Sequence, residues 1–411
     1  MSLDKIKMVL AKELAGFKER GALKGKETTI IGVKEAERDK GPRYFVEGYE
    51  DKEFLRMNSN SYLGMDLRKE VIEAEETAAR EFGTGPGAAR FISGTYKPHV
   101  DLEKRLAKFH NREAGMIFSS GYATVMGVLT PLISQDTIVI SDELNHNSII
   151  NAIRLARPKD RKIYRHNNMN ELETNLKECV GNCPRVIIAT DGIFSMRGDH
   201  APLPEIADLA EKYCPEFTEG IITIVDDSHG VGATGETGRG TTELTHENRV
   251  DILIGTLGKA MGVNGGYLVS DAEVIEYLRE KAPFYIYSNP ITVSEASAAL
   301  KVIDILDSDT GKRMLKYLHE MTVYFRKGLV NLGYEVIEGK HPIVPLMVRD
   351  TRKTIELVKY LKDNGILVTG LYYPIVPKGD EEIRFQICAE HTKYDLDYAL
   401  NILKEYKEQT I

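Results

Sequence analysis

From about residue 100 to 270, short apolar runs alternate with stretches of helical period. The runs are 115–118, 137–140, 186–189, 221–225, 251–254 and 267–269. Between them, segments such as 99–110, 148–157, 169–180 and 203–213 carry apolar residues three and four positions apart. Runs without polar alternation suit strands buried on both faces, and helices between such strands imply a largely parallel sheet covered on both sides. The pattern changes toward the C-terminus. Residues 313–332 form a long amphipathic stretch with Leu315, Leu318, Met321, Phe325 and Leu329 on one stripe. Strands are expected at 343–348, 366–368 and 382–388, and helices at 354–364, ending before Gly365, and at 394–403. The expected organisation is an N-terminal helix or arm over 1–60, a large α/β domain over 61–295 and a smaller α+β domain over 296–411.

The first twenty residues mix charge with Leu3, Ile6, Leu10, Leu14 and Phe17 at helical spacing. A secretory leader has a continuous uncharged core, so an amphipathic helix packed on the body or on a partner subunit is expected instead. No apolar run approaches the roughly 20 residues of a membrane span. The 54 Lys and Arg against 62 Asp and Glu leave a net charge of −8, which argues against general affinity for nucleic acid or anionic membrane. Four cysteines (Cys179, Cys183, Cys214 and Cys388) in 411 residues make no disulfide scaffold, and no second pair stands at zinc spacing. A cytoplasmic protein without a metal site is expected.

In open α/β sheets ligands lie beyond the carboxyl ends of the strands. Four runs deliver polar residues there: Ser141 to His146, Thr190 to Ser195, Asp226 to Gly230, and Gly255 to Ala260 with Lys259 among small neighbours. Two look-alikes fail. Gly230, Gly232 and Gly235 match G-x-G-x-x-G, but no apolar helical stripe follows, so a glycine-rich turn is expected and a nucleotide-dependent dehydrogenase is not. Gly255 and Gly258 are too close together for a phosphate-binding P-loop, and Ala260 follows the lysine. A loop lysine, a strand-end carboxylate and a histidine together meet the needs of pyridoxal phosphate (PLP). The lysine condenses with its aldehyde, and the carboxylate keeps its ring nitrogen protonated.

These residues sit in longer segments that resemble the α-oxoamine synthases, PLP enzymes of fold type I that join an amino acid to an acyl-CoA. The segments are Asn-Ser-Asn-Ser-Tyr-Leu-Gly ending at Gly64, the glycine-rich stretch from Gly83 to Thr95 with His99, Leu102 and Glu103, Ser141 to Ile149, Thr190 to Met196, Val225 to Gly230, Gly255 to Ala260, and Ile383-Arg384 followed by Ala389 to His391. They stand in the family's order over most of the chain. The resemblance implies a Schiff-base role for Lys259, pairing of Asp226 with the pyridinium nitrogen, a hydrogen bond from His229 to the ring hydroxyl, and stacking of His146. It places the cofactor phosphate at Gly121, Tyr122, Thr256 and Ser288 of the partner subunit, in a homodimer with shared sites. Ser195 is expected near cofactor or substrate, and Asn60 and Arg384 at the amino-acid carboxylate. Thr124 and Ala88-Ala89 depart from the family pattern. The segment 368–379, with Tyr372, Tyr373 and Pro374, is similar to members that condense glycine with acetyl-CoA, so 2-amino-3-ketobutyrate is the expected product. The alternative within the family is alanine with a pimeloyl thioester, giving 8-amino-7-oxononanoate, or another member of different acyl-chain specificity. A non-catalytic relative on the same fold would have no need of the lysine.

Overall fold

The structure is a computed structural model, and residues 2–19, 23, 27–373 and 375–410 are described. They divide into two compact units. One comprises the residues up to Ser59, Met321–Glu338 and those from Ile343 onward; the other comprises Asn60–Glu320 and Gly339–Pro342.

The larger unit is built on a seven-stranded sheet. Its spatial order is Ala114–Phe118, Gly266–Ser270, Ile252–Thr256, Ile221–Asp226, Arg185–Asp191, Thr137–Asp142 and Asp160–Tyr164. The last five of these run parallel to one another. Gly266–Ser270 runs antiparallel to both its neighbours, so the sheet is mixed. Thr137–Asp142 is buried at every position, which explains its unbroken run of Ile and Val. Each such side chain contributes roughly 1.5–3 kcal/mol by leaving water. Asp160–Tyr164 is different: it is an edge strand, three of its five residues are exposed, and it carries no apolar run. Following the chain, the strands step outward from Thr137–Asp142 to Asp160–Tyr164, then return to the other side for Arg185–Asp191. This reversal is a topological switch point, where a crevice opens at the strands' carboxyl ends.

The other unit holds two four-stranded sheets. One pairs Ile30–Lys34, Arg43–Val46, Tyr49–Arg56 and Ile366–Leu367; the other pairs Glu335–Val336, Ile343–Met347, Glu382–Gln386 and Thr369–Leu371. The single strand expected at 366–368 is thus two short ones, and the chain changes sheet at Val368. Helices Thr351–Asp363 and Lys393–Thr410 complete this unit, and a buried ion pair joins Arg43 to Asp395.

The N-terminal helix forms, over Ser2–Glu19. The stripe expected to pack on the body or on a partner subunit is not buried within the chain. Leu3, Ile6, Leu10, Leu14 and Phe17 remain 61, 45, 49, 56 and 43% exposed. The helix follows from the spacing of these residues, and its stripe stays largely exposed among the described residues. No helix among the described residues is long and apolar enough to cross a membrane.

Candidate active site

A cavity of about 230 Å³ opens at the switch point of the large unit. It is lined by residues from five strand-end connections: Gly121 and Tyr122; His146 and Ser148; Asp191, Ile193 and Ser195; Asp226, Ser228 and His229; and Thr256 with Lys259. Eight of the residues expected at the site therefore share one wall: Gly121, Tyr122, His146, Ser195, Asp226, His229, Thr256 and Lys259. Three do not line it. Ser288 is half-buried and its hydroxyl turns to the Asn289 carbonyl at 3.3 Å. Asn60 lies at the end of the unit's chain, 3.4 Å from the Tyr62 hydroxyl. Arg384 stands on strand Glu382–Gln386 of the other unit, in register with Pro345 and Thr369.

The histidine at the switch point is fixed by its neighbours. His146 caps helix Asn147–Ala156, its Nδ1 lying 2.7 Å from the Ser148 hydroxyl. Its backbone N–H donates to Asp191 Oδ2 across the switch point at 3.1 Å. Burial pushes the ring's pKa down; Asp226 opposes this and Lys259 adds to it. A neutral ring is therefore available to lie flat against an aromatic ligand.

Asp226, the last residue of strand Ile221–Asp226, and Asp227 just after it face different surroundings. Asp226 lines the cavity, and its Oδ1 accepts from the Ser228 backbone at 3.2 Å and hydroxyl at 2.5 Å. Asp227 is fully buried away from the cavity and accepts from the Thr241 backbone at 2.6 Å and hydroxyl at 2.5 Å. Burial pushes the Asp227 carboxyl up to about 7. Three glycines enclose it: a Cβ on Gly192, Gly230 or Gly240 would come within 2.2, 2.0 and 2.0 Å of its carboxylate oxygens.

His229 is oriented through its Nδ1, 2.8 Å from the hydroxyl of the fully buried Tyr62. Its backbone carbonyl accepts from His341 Nε2 at 2.8 Å. The glycine-rich segment after it is a set of tight turns with no helix. Gly232 has φ 74°, and a Cβ there would meet the Ala260 Cβ at 2.5 Å. The glycines of the G-x-G-x-x-G look-alike thus let the turn approach the loop that carries Lys259. Helix Gly121–Leu132 starts at the cavity with Ser120 as its cap, its hydroxyl accepting from the Ala123 N–H at 3.1 Å. Free N–H groups at such a start suit a phosphate.

Sequence patterning left four supporting residues without a role. Tyr62, Ser148 and Ser228 act through other side chains, which no spacing reveals. Asp191 had a signal, since it closes a strand in register with Asp226. Burial, and next to it the Asp226 charge, raise its pKa well above the carboxylate range. Its Oδ1 is buried and finds no hydrogen-bond partner. A primary amine, an acid beside it, a neutral histidine and an unpaired buried oxygen around one cavity fit the donor and acceptor set of PLP.

The family described as aminotransferase class I and II matches residues 52–403. An 8-amino-7-oxononanoate synthase from Bacillus pumilus is 42% identical over 356 residues, 86% of this chain and 88% of its own length. One from Thermosipho melanesiensis is 38% identical over 393 residues, 95% of each chain. The serine palmitoyltransferase of S. paucimobilis, solved with PLP and myriocin bound, superposes with a TM-score of 0.87 at 25% identity, covering 99% of this chain and 98% of that one.

These findings correct the glycine and acetyl-CoA reading drawn from segment 368–379, because the relatives that span nearly the whole chain carry a different activity in their names. The physical reason lies in the segment. Tyr373 is 44% exposed and its ring carries the Lys378 ammonium at 5.6 Å, so it behaves as a surface turn and no gauge of acyl length. Pro374 lies outside the described residues. The fold, the cofactor and the family agree: the chain belongs to the class I and II aminotransferase family of PLP-dependent fold type I enzymes, in its α-oxoamine synthase branch.

Proposed function

We propose that this protein condenses alanine with a pimeloyl thioester to give 8-amino-7-oxononanoate, releasing the thiol and carbon dioxide. The observation that carries this reading is 42% identity over 356 residues to a synthase of that name. The cavity supports it with the residues the chemistry needs.

Bound PLP supplies the sink for the electron pair left at the amino-acid α-carbon. The Lys259 amine would hold the cofactor's aldehyde carbon, and as a free amine it would remove the proton at the amino-acid α-carbon. Asp226, held by Ser228, keeps the ring nitrogen protonated, because a carboxylate there stabilises the N–H cation. His229, steadied by Tyr62, donates to the ring hydroxyl. His146 would pack against the cofactor ring and exclude water there. The N–H groups of Gly121 and Tyr122, with Thr256, hold the phosphate. Asn60 and Arg384 take the substrate carboxylate, and Ser195 faces the reacting amino acid. The α-carbon then bonds to the thioester carbonyl carbon, the C–S bond breaks, and the carboxylate leaves as carbon dioxide. The working unit is a homodimer, with Ser288 of the partner subunit completing each phosphate site; the uncovered stripe of helix Ser2–Glu19 supports an association.

The test is turnover of the purified protein on alanine with pimeloyl-CoA and on glycine with acetyl-CoA, with the product identified by mass. Higher kcat/KM for the first pair is expected. No 8-amino-7-oxononanoate from alanine and a pimeloyl thioester, alongside turnover of another pair, overturns the reading.

A further inference from the structure

One histidine outside the cavity joins two of the loops that build its wall. His166 follows the edge strand Asp160–Tyr164 and does not line the cavity. Its Nδ1 lies 3.1 Å from Asp142 Oδ1, and its Nε2 lies 3.0 Å from Asp199 Oδ2. Asp142 stands four residues before His146, and Asp199 four residues after Ser195. Two carboxylates from two wall-forming loops thus grip opposite edges of one ring.

The surroundings tighten the grip. Asp142 is 2% exposed and is itself fixed, because its Oδ1 accepts from the Leu144 N–H at 2.8 Å and its Oδ2 from the Asn167 N–H at 2.9 Å. The Asn167 amide donates to the His200 carbonyl at 3.1 Å. The buried ring of Phe194, next to Ser195, meets the imidazole edge-on at 4.4 Å. A neutral imidazole has one N–H and donates to one carboxylate, whereas the imidazolium donates to both.

We propose that the imidazolium of His166 is a positioning residue, stapling the 143–146 loop to the 192–200 loop and thereby holding His146 and Ser195 in fixed relation across the cavity. Burial alone would drive the ring toward neutrality, but the hydrogen bonds and charges of Asp142 and Asp199 outweigh it and lift the pKa to about 9. The other charged groups nearby are Glu143, which accepts the His166 backbone N–H at 2.9 Å, Arg197, 3.0 Å from the same Asp199 oxygen, and Arg165, engaged with Glu171. Arg197 is 43% exposed, so it competes weakly for Asp199. A pKa raised by folding gives a contribution complete below the unfolded histidine value and lost as pH rises through about 9.

The activity arm of the test rests on the proposed function; the exchange arm does not. In the full-length holoprotein, amide hydrogen exchange is followed over 143–146 and 193–199 from pH 7 to 10 and corrected for intrinsic base catalysis. The wild type is expected to show an added acceleration of ~10-fold or more centred near pH 9. In His166→Gln the same amides exchange fast from pH 7 with no step, and kcat falls by ~10²-fold with the amino-acid KM little changed. Wild-type exchange without a step overturns the proposal, as does a variant whose loops stay protected at pH 7. Should His166→Gln fail to fold, Asp199→Asn cuts one arm only and is expected to release 193–199 while sparing 143–146; protection of both loops in it overturns the proposal. Exchange as expected with no oxononanoate formed leaves the staple standing and removes the substrate assignment.

Discussion

Asp226 and Asp227 are neighbours in sequence with separate duties. The alternation of a strand points one into the cavity and the other into the protein. Asp226→Asn is expected to fold normally and lose activity by orders of magnitude, because an amide does not hold the ring nitrogen protonated. Asp227→Ala strands the Thr241 N–H and hydroxyl and is expected to cost about 1–3 kcal/mol of stability, with any folded fraction still binding cofactor. Thermal melts beside absorbance titrations with PLP separate the two; a dead Asp227→Ala with unchanged melting would reverse the assignment. Lys259→Ala is expected to lose the borohydride-trapped cofactor from the peptide containing residue 259. The strand-end logic made Lys259, Asp226, His229 and His146 legible in the sequence. It left Asp191 unassigned, because a carboxylate with an unpaired oxygen is defined by burial and not by residue type.

Among elements, those with buried runs were legible and those without were not. The five parallel strands include four marked by continuous apolar residues. The fifth, Asp160–Tyr164, lies at the sheet edge, where exposure removes the pattern. The reversed direction of Gly266–Ser270 was equally hidden, because a buried strand looks alike in either sense. Helix Gly121–Leu132 is buried nearly all round from Thr124 to Leu129, so it shows no stripe. Its start rests on Gly266, where a Cβ would lie 2.6 Å from the backbone of Gly121 and 2.4 Å from the Thr124 hydroxyl. Gly266→Ala must therefore push the helix start, at about 1–3 kcal/mol. The expected readout is weaker retention of PLP on dialysis than in the wild type, larger than any loss of helix signal. Unchanged retention would detach this glycine from the phosphate site.

For the molecule as a whole, the uncovered stripe of helix Ser2–Glu19 has a measurable consequence. Seven apolar residues on that helix are more than two-fifths exposed, from Met8 at 75% to Phe17 at 43%. Light scattering is expected to give twice the chain mass, and removal of residues 1–19 to shift the balance toward monomer with loss of activity. A fully active monomer would end the shared-site reading. Chain-wide likeness weighs more here than a local one: segment 368–379 pointed to a short acyl donor, while the relatives similar over most of the chain are named 8-amino-7-oxononanoate synthase.

The enclosure of Asp227 also governs which sequences this fold tolerates. Gly192 belongs to a different strand-end loop from Gly230 and Gly240, yet the same carboxylate crowds all three, and at Gly240 a φ of 89° bars a side chain as well. In a mutational library each glycine would look independently essential. Combined with Asp227→Gly, Gly230→Ala would find room and become the milder partner of a pair, whereas Gly240→Ala would stay strained at φ 89°. Asp227 and Gly230 are therefore expected to couple strongly in a double-mutant cycle, while Gly240 stays costly to substitute in either background.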